Sequence, residues 1–243
     1  MRAMTPFAGL PIGVGAVWHE PRSRAALVGL AAAGMLPFAG LGAVAAGWVR
    51  PAGYIGGAVL PAIAVLMLGL LWVARREPHL LARAAVGVLA GWLGILAYDA
   101  LIGVLQAFGP GRGPSLIWPG VQLAPGATAF NQVAPALVLH WLALGALWGL
   151  TYAMVAGRAH WAWGLVYGLA LWSTGLAMAV FLPHGAMIVP ALDAGRVSLL
   201  LIGHLLFGAV LGGVNEWLQP PAPFNAKIVF LRDFVSQRQT ARR

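Results

Sequence analysis

Cysteine is absent from this chain. That excludes disulfides, thiolate zinc sites, iron–sulfur clusters and a cysteine nucleophile, and leaves the compartment undecided. Lysine occurs once, as Lys227, and no Gly-Lys pair exists, so a Walker-type phosphate loop is ruled out and nucleotide binding is not expected. Charge of either sign is scarce at 9% of residues, with 6 acidic against 15 basic side chains. What fills the space is apolar: 60% of the 243 residues are hydrophobic, and the mean hydropathy is +0.84. A single water-soluble core of this size cannot hide that much apolar surface, so the expected solvent is lipid.

Six apolar stretches are each long enough to cross roughly 30 Å of hydrocarbon at about 1.5 Å per residue. They run from about Ala25 to Val49, Tyr54 to Ala74, Ala84 to Phe108, Ala134 to Ala156, Trp161 to Leu182 and Val197 to Leu218. The basic residues sort between them. Arg2, Arg22, Arg24, Arg75, Arg76, Arg83, Arg158, Lys227, Arg232, Arg238, Arg242 and Arg243 fall on one side, and only Arg50, Arg112 and Arg196 on the other. The positive-inside bias then predicts an all-α, six-span bundle with both termini in the cytoplasm. A net charge of +9 does not point to nucleic acid, because these residues cluster at span ends as anchors near anionic lipid.

Four parts are expected along the chain: a cytoplasmic arm (1–24), a two-helix extension (25–83), a four-helix membrane unit (84–218) and a basic tail (219–243). The arm opens with Arg2 and an apolar run, but Pro6 and Pro11 weaken it as a signal helix. Glycine separates the two helical parts. Gly87 and Gly91, Gly145 and Gly149, Gly164 and Gly168, and Gly208 and Gly212 are Gly-x-x-x-Gly pairs, which let helix backbones approach in lipid, and the first two spans have none. These pairs lie mostly toward the cytoplasmic side, so the outer half is expected to be looser. Between the third and fourth spans, Gly109 to Val133 contains four prolines and forms a long outer loop. His184 and Asp193 sit in the shorter outer loop. Beyond Pro220, Pro221 and Pro223, Ala226 to Arg238 reads as a basic amphipathic helix on the interface.

An ionisable group at membrane depth costs roughly 2.5–3.5 kcal/mol on insertion scales and needs a reason. Asp99, His140 and His204 lie at similar depth in the outer halves of the third, fourth and sixth spans. A carboxylate bonded to an imidazole is proton-relay chemistry, and two histidines from different helices can ligate a haem iron or a metal. On an α-helical wheel His204 lies about 40° from Gly208 and Asp99 about 80° from Gly91, so both can face the packed interior and reach each other, although histidines satisfied by backbone carbonyls or loop groups are the leading expectation. His140, about 140° from Gly145 on the same wheel, is expected to face elsewhere. Glu216 and Asn215, at the cytoplasmic end of the sixth span, are expected to be interfacial, with Glu216 near Arg158 or the tail. Trp48, Trp72, Trp161, Trp163 and Trp217 read as interface anchors.

The run from His140 to Tyr152, then Trp163-Gly-Leu-Val-Tyr-Gly168, Leu182-Pro183 and Gly203-His-Leu-Leu-Phe-Gly208, resembles the YagU-like group of bacterial membrane proteins. Gly87-Val-Leu-Ala-Gly91, with Asp99 and a Pro-rich outer loop after it, also fits that group's opening helix. The resemblance spans about 84–218 and implies a four-helix membrane unit whose second and fourth helices carry a histidine, here His140 and His204. It implies no catalytic residue. An intramembrane serine protease is disfavoured, because Ser173 lacks the preceding glycine pattern and lies on a helix of the wrong direction. The expected function is therefore a non-catalytic membrane subunit or scaffold with protein partners. The alternatives are a small transporter or proton channel using Asp99 and His204, and a haem- or pigment-binding subunit using His140 and His204.

Overall fold

In hydrocarbon every backbone N–H and C=O must be bonded within the protein, so apolar segments of this length fold as helices. The computed structural model describes residues 21–50, 53–76, 78–108, 138–189 and 192–219. Its helices are α1 (Pro21–Ala45), α2 (a π turn at Ile55–Val59 continuing as Leu60–Arg76), α3 (Pro78–Phe108), α4 (a π segment at Val138–Leu147 continuing as Trp148–Ala156), α5 (Ala162–Phe181) and α6 (Ala194–Leu218). The arm through residue 20, the loop from Gly109 to Val133 and the tail with its expected helix lie outside the described residues. Five of these helices are long and apolar enough to cross a membrane, and His140–Ala156 is shorter within the described residues. The chain is a multi-pass, all-helical membrane protein. Only 22% of the α2 span is buried within the protein, so lipid covers most of it.

Several boundaries differ from the sequence reading. The first span ends four residues early, because Gly47 adopts φ +80° and closes a Schellman cap: its N–H bonds Val44 O at 2.9 Å and the Trp48 N–H bonds Ala43 O at 2.9 Å. Hydrophobicity continues past that point, so hydropathy alone overran it. The third span starts six residues before Ala84, with Pro78 at the first helical position, where a missing N–H costs nothing. Arg83 thereby becomes part of the helix. The sixth begins at Ala194, because the Asp193 carboxylate accepts the Arg196 N–H at 2.9 Å and caps the helix.

Neighbouring helices run antiparallel in the order α2, α1, α4, α3, α6, α5. Two crossings bring backbone against backbone. A methyl added at Gly91 would meet the Gly145 carbonyl, and one at Gly149 the Gly87 carbonyl; on the other pair, Gly164 faces the Gly208 carbonyl and Gly168 the His204 carbonyl. The first two helices are not set apart from the rest. Gly34 of α1 lies against Thr151 and the Leu147 carbonyl of α4, and the Thr151 hydroxyl bonds Ala31 O at 3.3 Å. Pro37 leaves α1 with a broken ladder, and the Tyr54 hydroxyl donates to the Pro37 carbonyl at 2.8 Å. Because directions alternate, the ends carrying Arg75, Arg76, Arg83 and Arg158 share one face of the bundle, and Arg50 and Arg196 lie at the opposite face.

Candidate functional site

Two polar centres form inside the bundle. The first lies in the half away from the arginine-rich end, where Asp99 projects from α3 and His140 from the π segment of α4. Asp99 Oδ1 and His140 Nε2 are 2.7 Å apart, with side-chain exposures of 17% and 12%. A second bond ties the same two helices: the Trp92 indole donates to the Trp141 carbonyl at 3.0 Å. Tyr98, next to Asp99, turns its ring between the helices and contacts two imidazoles, with ring centroids 6.4 Å from His140 and 5.7 Å from His204. His204 also lies 6.4 Å from the Trp148 ring. Gly203 makes this arrangement possible, since any Cβ there would strike the Tyr98 ring.

The contact that the α wheel allows between Asp99 and His204 is not made. His204 Nδ1 instead donates to the Leu200 carbonyl of its own helix at 2.7 Å, and His140, placed by the wheel on another face, takes the carboxylate. Winding explains the exchange. A π segment bonds i to i+5 and turns only roughly 80° per residue, which brings His140 to within roughly 40° of Gly145 instead of about 140°. Gly145 is the residue that meets α3, so the same rotation aims His140 at Asp99. His140 and His204 do gather around one aromatic ring, and Asp99 joins them through its bond to His140. Among the described residues, however, no three His, Cys, Asp or Glu side chains are grouped closely enough to hold a metal ion. A haem iron shared by the two histidines would have to use His140 Nδ1 or displace Asp99 from Nε2, with Tyr98 packed on both rings.

The second centre, at the arginine-rich end, was not anticipated. Arg83 is 9% exposed, and its guanidinium caps the C-terminus of α4, with Nε donating to Ala153 O at 2.5 Å and Nη2 to Met154 O at 2.9 Å. Gly157 ends that helix at φ +61°. Asn215, expected at the interface, is fully buried and donates to the Gly157 carbonyl, and Gln219 Nε2 donates to Arg83 O at 3.2 Å and Asn215 Oδ1 at 3.0 Å. Glu216 is not placed by Arg158 either: its Oε2 accepts the Trp161 N–H at 2.7 Å and satisfies an orphan donor at the start of α5. The one sequence signal for this cluster was an arginine directly before the third span. It reads equally well as an anchor, because sequence spacing does not show which helix end it reaches.

Between the centres the bundle is apolar and tight. Ala90, Leu150, Phe207 and Leu211 are 0–2% exposed, and along α3 the two polar levels stand roughly 24 Å apart at 1.5 Å per residue. Tyr167 reaches into this layer only to donate to Trp148 O at 3.1 Å, and the buried Tyr152 hydroxyl has no partner among the described residues. In the connection between α5 and α6, Asp193 serves as the α6 cap and pairs with Arg196 at 3.3 Å, and the His184 N–H bonds Ala45 O at 2.8 Å. Those two candidates tie loops and helix ends together. No family model, curated protein or solved structure matches the chain.

Proposed function

We propose that the protein is a non-catalytic membrane subunit or scaffold of a bacterial cytoplasmic membrane, with the Asp99–His140 pair as its receiving site for a lipid-soluble ligand or a partner helix. The observation that carries this reading is the position of the pair: in one half of the bundle, partly exposed, and backed by a packed apolar layer. Intramembrane ionisable residues mark sites of function when they face a bundle interior or a cavity. A site closed on one side is suited to holding something that arrives from the membrane or the outer face, and a conduit would need polar groups at every level. In this reading both termini are cytoplasmic, as the arginine asymmetry implies, and the likeness to the YagU-like group supports the four-helix unit around the site. Native mass spectrometry from mild detergent tests the proposal. The expected result is a bound chain or lipid-soluble molecule that is lost from Asp99→Leu protein; a bare monomer in both would overturn it.

A second reading has its own support in the 2.7 Å contact, since a carboxylate bonded to an imidazole can hold and pass a proton. That proton-handling reading predicts pH-driven flux in liposomes that Asp99→Asn abolishes. Flux that survives the substitution removes Asp99 from any such scheme.

A further inference from the structure

Ten consecutive residues of π winding, Val138–Leu147, open α4 before it continues as an α-helix from Trp148. π geometry is rare and is ordinarily limited to a single turn, so a run of this length needs an external hold. Three holds are visible, and all come from α3. Asp99 bonds His140, the Trp92 indole takes the Trp141 carbonyl, and Gly91 receives the Gly145 carbonyl at the crossing. The α-helical remainder is anchored separately. Gly149 is locked against Gly87, and Thr151 bonds both Ala31 O of α1 and Leu147 O at the junction, the latter at 2.9 Å.

We propose that α4 is a two-register helix and that the Asp99–His140 bond is the latch that keeps its outer half in the π register. With Trp148 and the residues after it fixed, rewinding to α geometry would turn each upstream residue by about 20° more than the one before. At His140, eight residues from Trp148, the accumulated rotation is roughly 160°, which carries the imidazole from α3 to the opposite side of the helix. The α wheel of the sequence, in which His140 faces away from the glycine crossing, describes that released state. Any group that competes with His140 for the Asp99 carboxylate opens the latch, and the outer half of the bundle then changes its lining while the Gly87–Gly149 crossing stays closed. This inference rests on the winding and the contact and is independent of what the site receives.

The absence of cysteine makes a direct test practical, because single cysteines can be introduced without removing others. Nitroxide labels are placed one at a time at Leu139, Trp141, Leu142, Leu144 and Ala146, and their accessibility to oxygen is measured in liposomes for the otherwise native chain, for Asp99→Leu and for His140→Leu. The expected result is that the oxygen accessibilities at residues 141 and 142 change in both variants, as a rotation of well over 90° requires, while Ala146, close to the junction, keeps its value. Asp99→Asn retains an acceptor and should keep the native pattern. A label at Val166 on the lipid-facing side of α5 reports whether each variant remains folded. The proposal is overturned if the native chain already shows the α-helical phase, or if the patterns of Asp99→Leu and His140→Leu coincide with the native one.

Discussion

Asp99 and His140 are each expensive in lipid, and each is satisfied chiefly by the other, so removing one should strand its partner. The expected cost of Asp99→Leu or His140→Leu alone is about 1–3 kcal/mol, the range for an unsatisfied buried polar group. The double variant should recover part of that loss. Interhelical bonds in membranes couple by about 0.6 kcal/mol on average and up to about 1.7, and unfolding of the four proteins in mixed micelles gives the value. Additive losses would show that the 2.7 Å contact contributes nothing to the fold. Arg83 sets a different expectation, because its guanidinium reaches two carbonyls at once and a lysine ammonium is a single point of donation. Arg83→Met should destabilise by about 2–3 kcal/mol, and Arg83→Lys should restore less than half of that in the same unfolding measurement. If lysine restores it fully, the forked geometry is unimportant and only the charge matters.

At the level of elements, the distribution of glycine separates residues that touch a neighbour's backbone from residues that do not. Gly91→Ala and Gly208→Ala place a methyl on a carbonyl of the facing helix, Gly145 and Gly164 respectively, and a backbone cannot rotate out of the way as a side chain can. Each should cost about 1–3 kcal/mol by overpacking. Gly175→Ala and Gly103→Ala meet nothing within 4 Å and should gain up to about 1 kcal/mol from helix propensity, read by the same thermal unfolding curve. Equal effects at all four sites would mean that the crossings relax freely. The sequence made the spans legible, since length and hydropathy are properties of a single segment. It did not reveal the π segment, because a change from 100° to roughly 80° per residue leaves no compositional trace. That single change gave the carboxylate to His140, the histidine the α wheel turns away from α3, and left His204 on a backbone carbonyl. Arg83 and Asn215 were misplaced for a related reason. Their partners are carbonyls at the end of another helix, and backbone groups have no signature in side-chain pattern.

For the molecule as a whole, alternating helix directions turn a one-dimensional charge count into a two-sided object. Arg75 and Arg76 close α2, Arg158 follows α4 and Arg83 opens α3, all at one end, and Arg50 and Arg196 occupy the other. Large apolar side chains are left at both ends, with Trp48 and Phe181 at 84% and 81% exposure near the poorly charged end and Trp217 at 80% near the arginine-rich one. Such rings are favoured at headgroup level and set the vertical position of the bundle, and the arginine bias predicts its direction. Only the direction is left open by the helix packing itself, because the same bundle could be inserted either way up. Single cysteines decide it. A membrane-impermeant maleimide should label His184→Cys in intact cells, and should label Arg158→Cys only after the membrane is opened. If Arg158→Cys reacts first, the arginine-rich end faces outward, the Asp99–His140 site lies in the cytoplasmic half, and any molecule it receives must come from the cell interior.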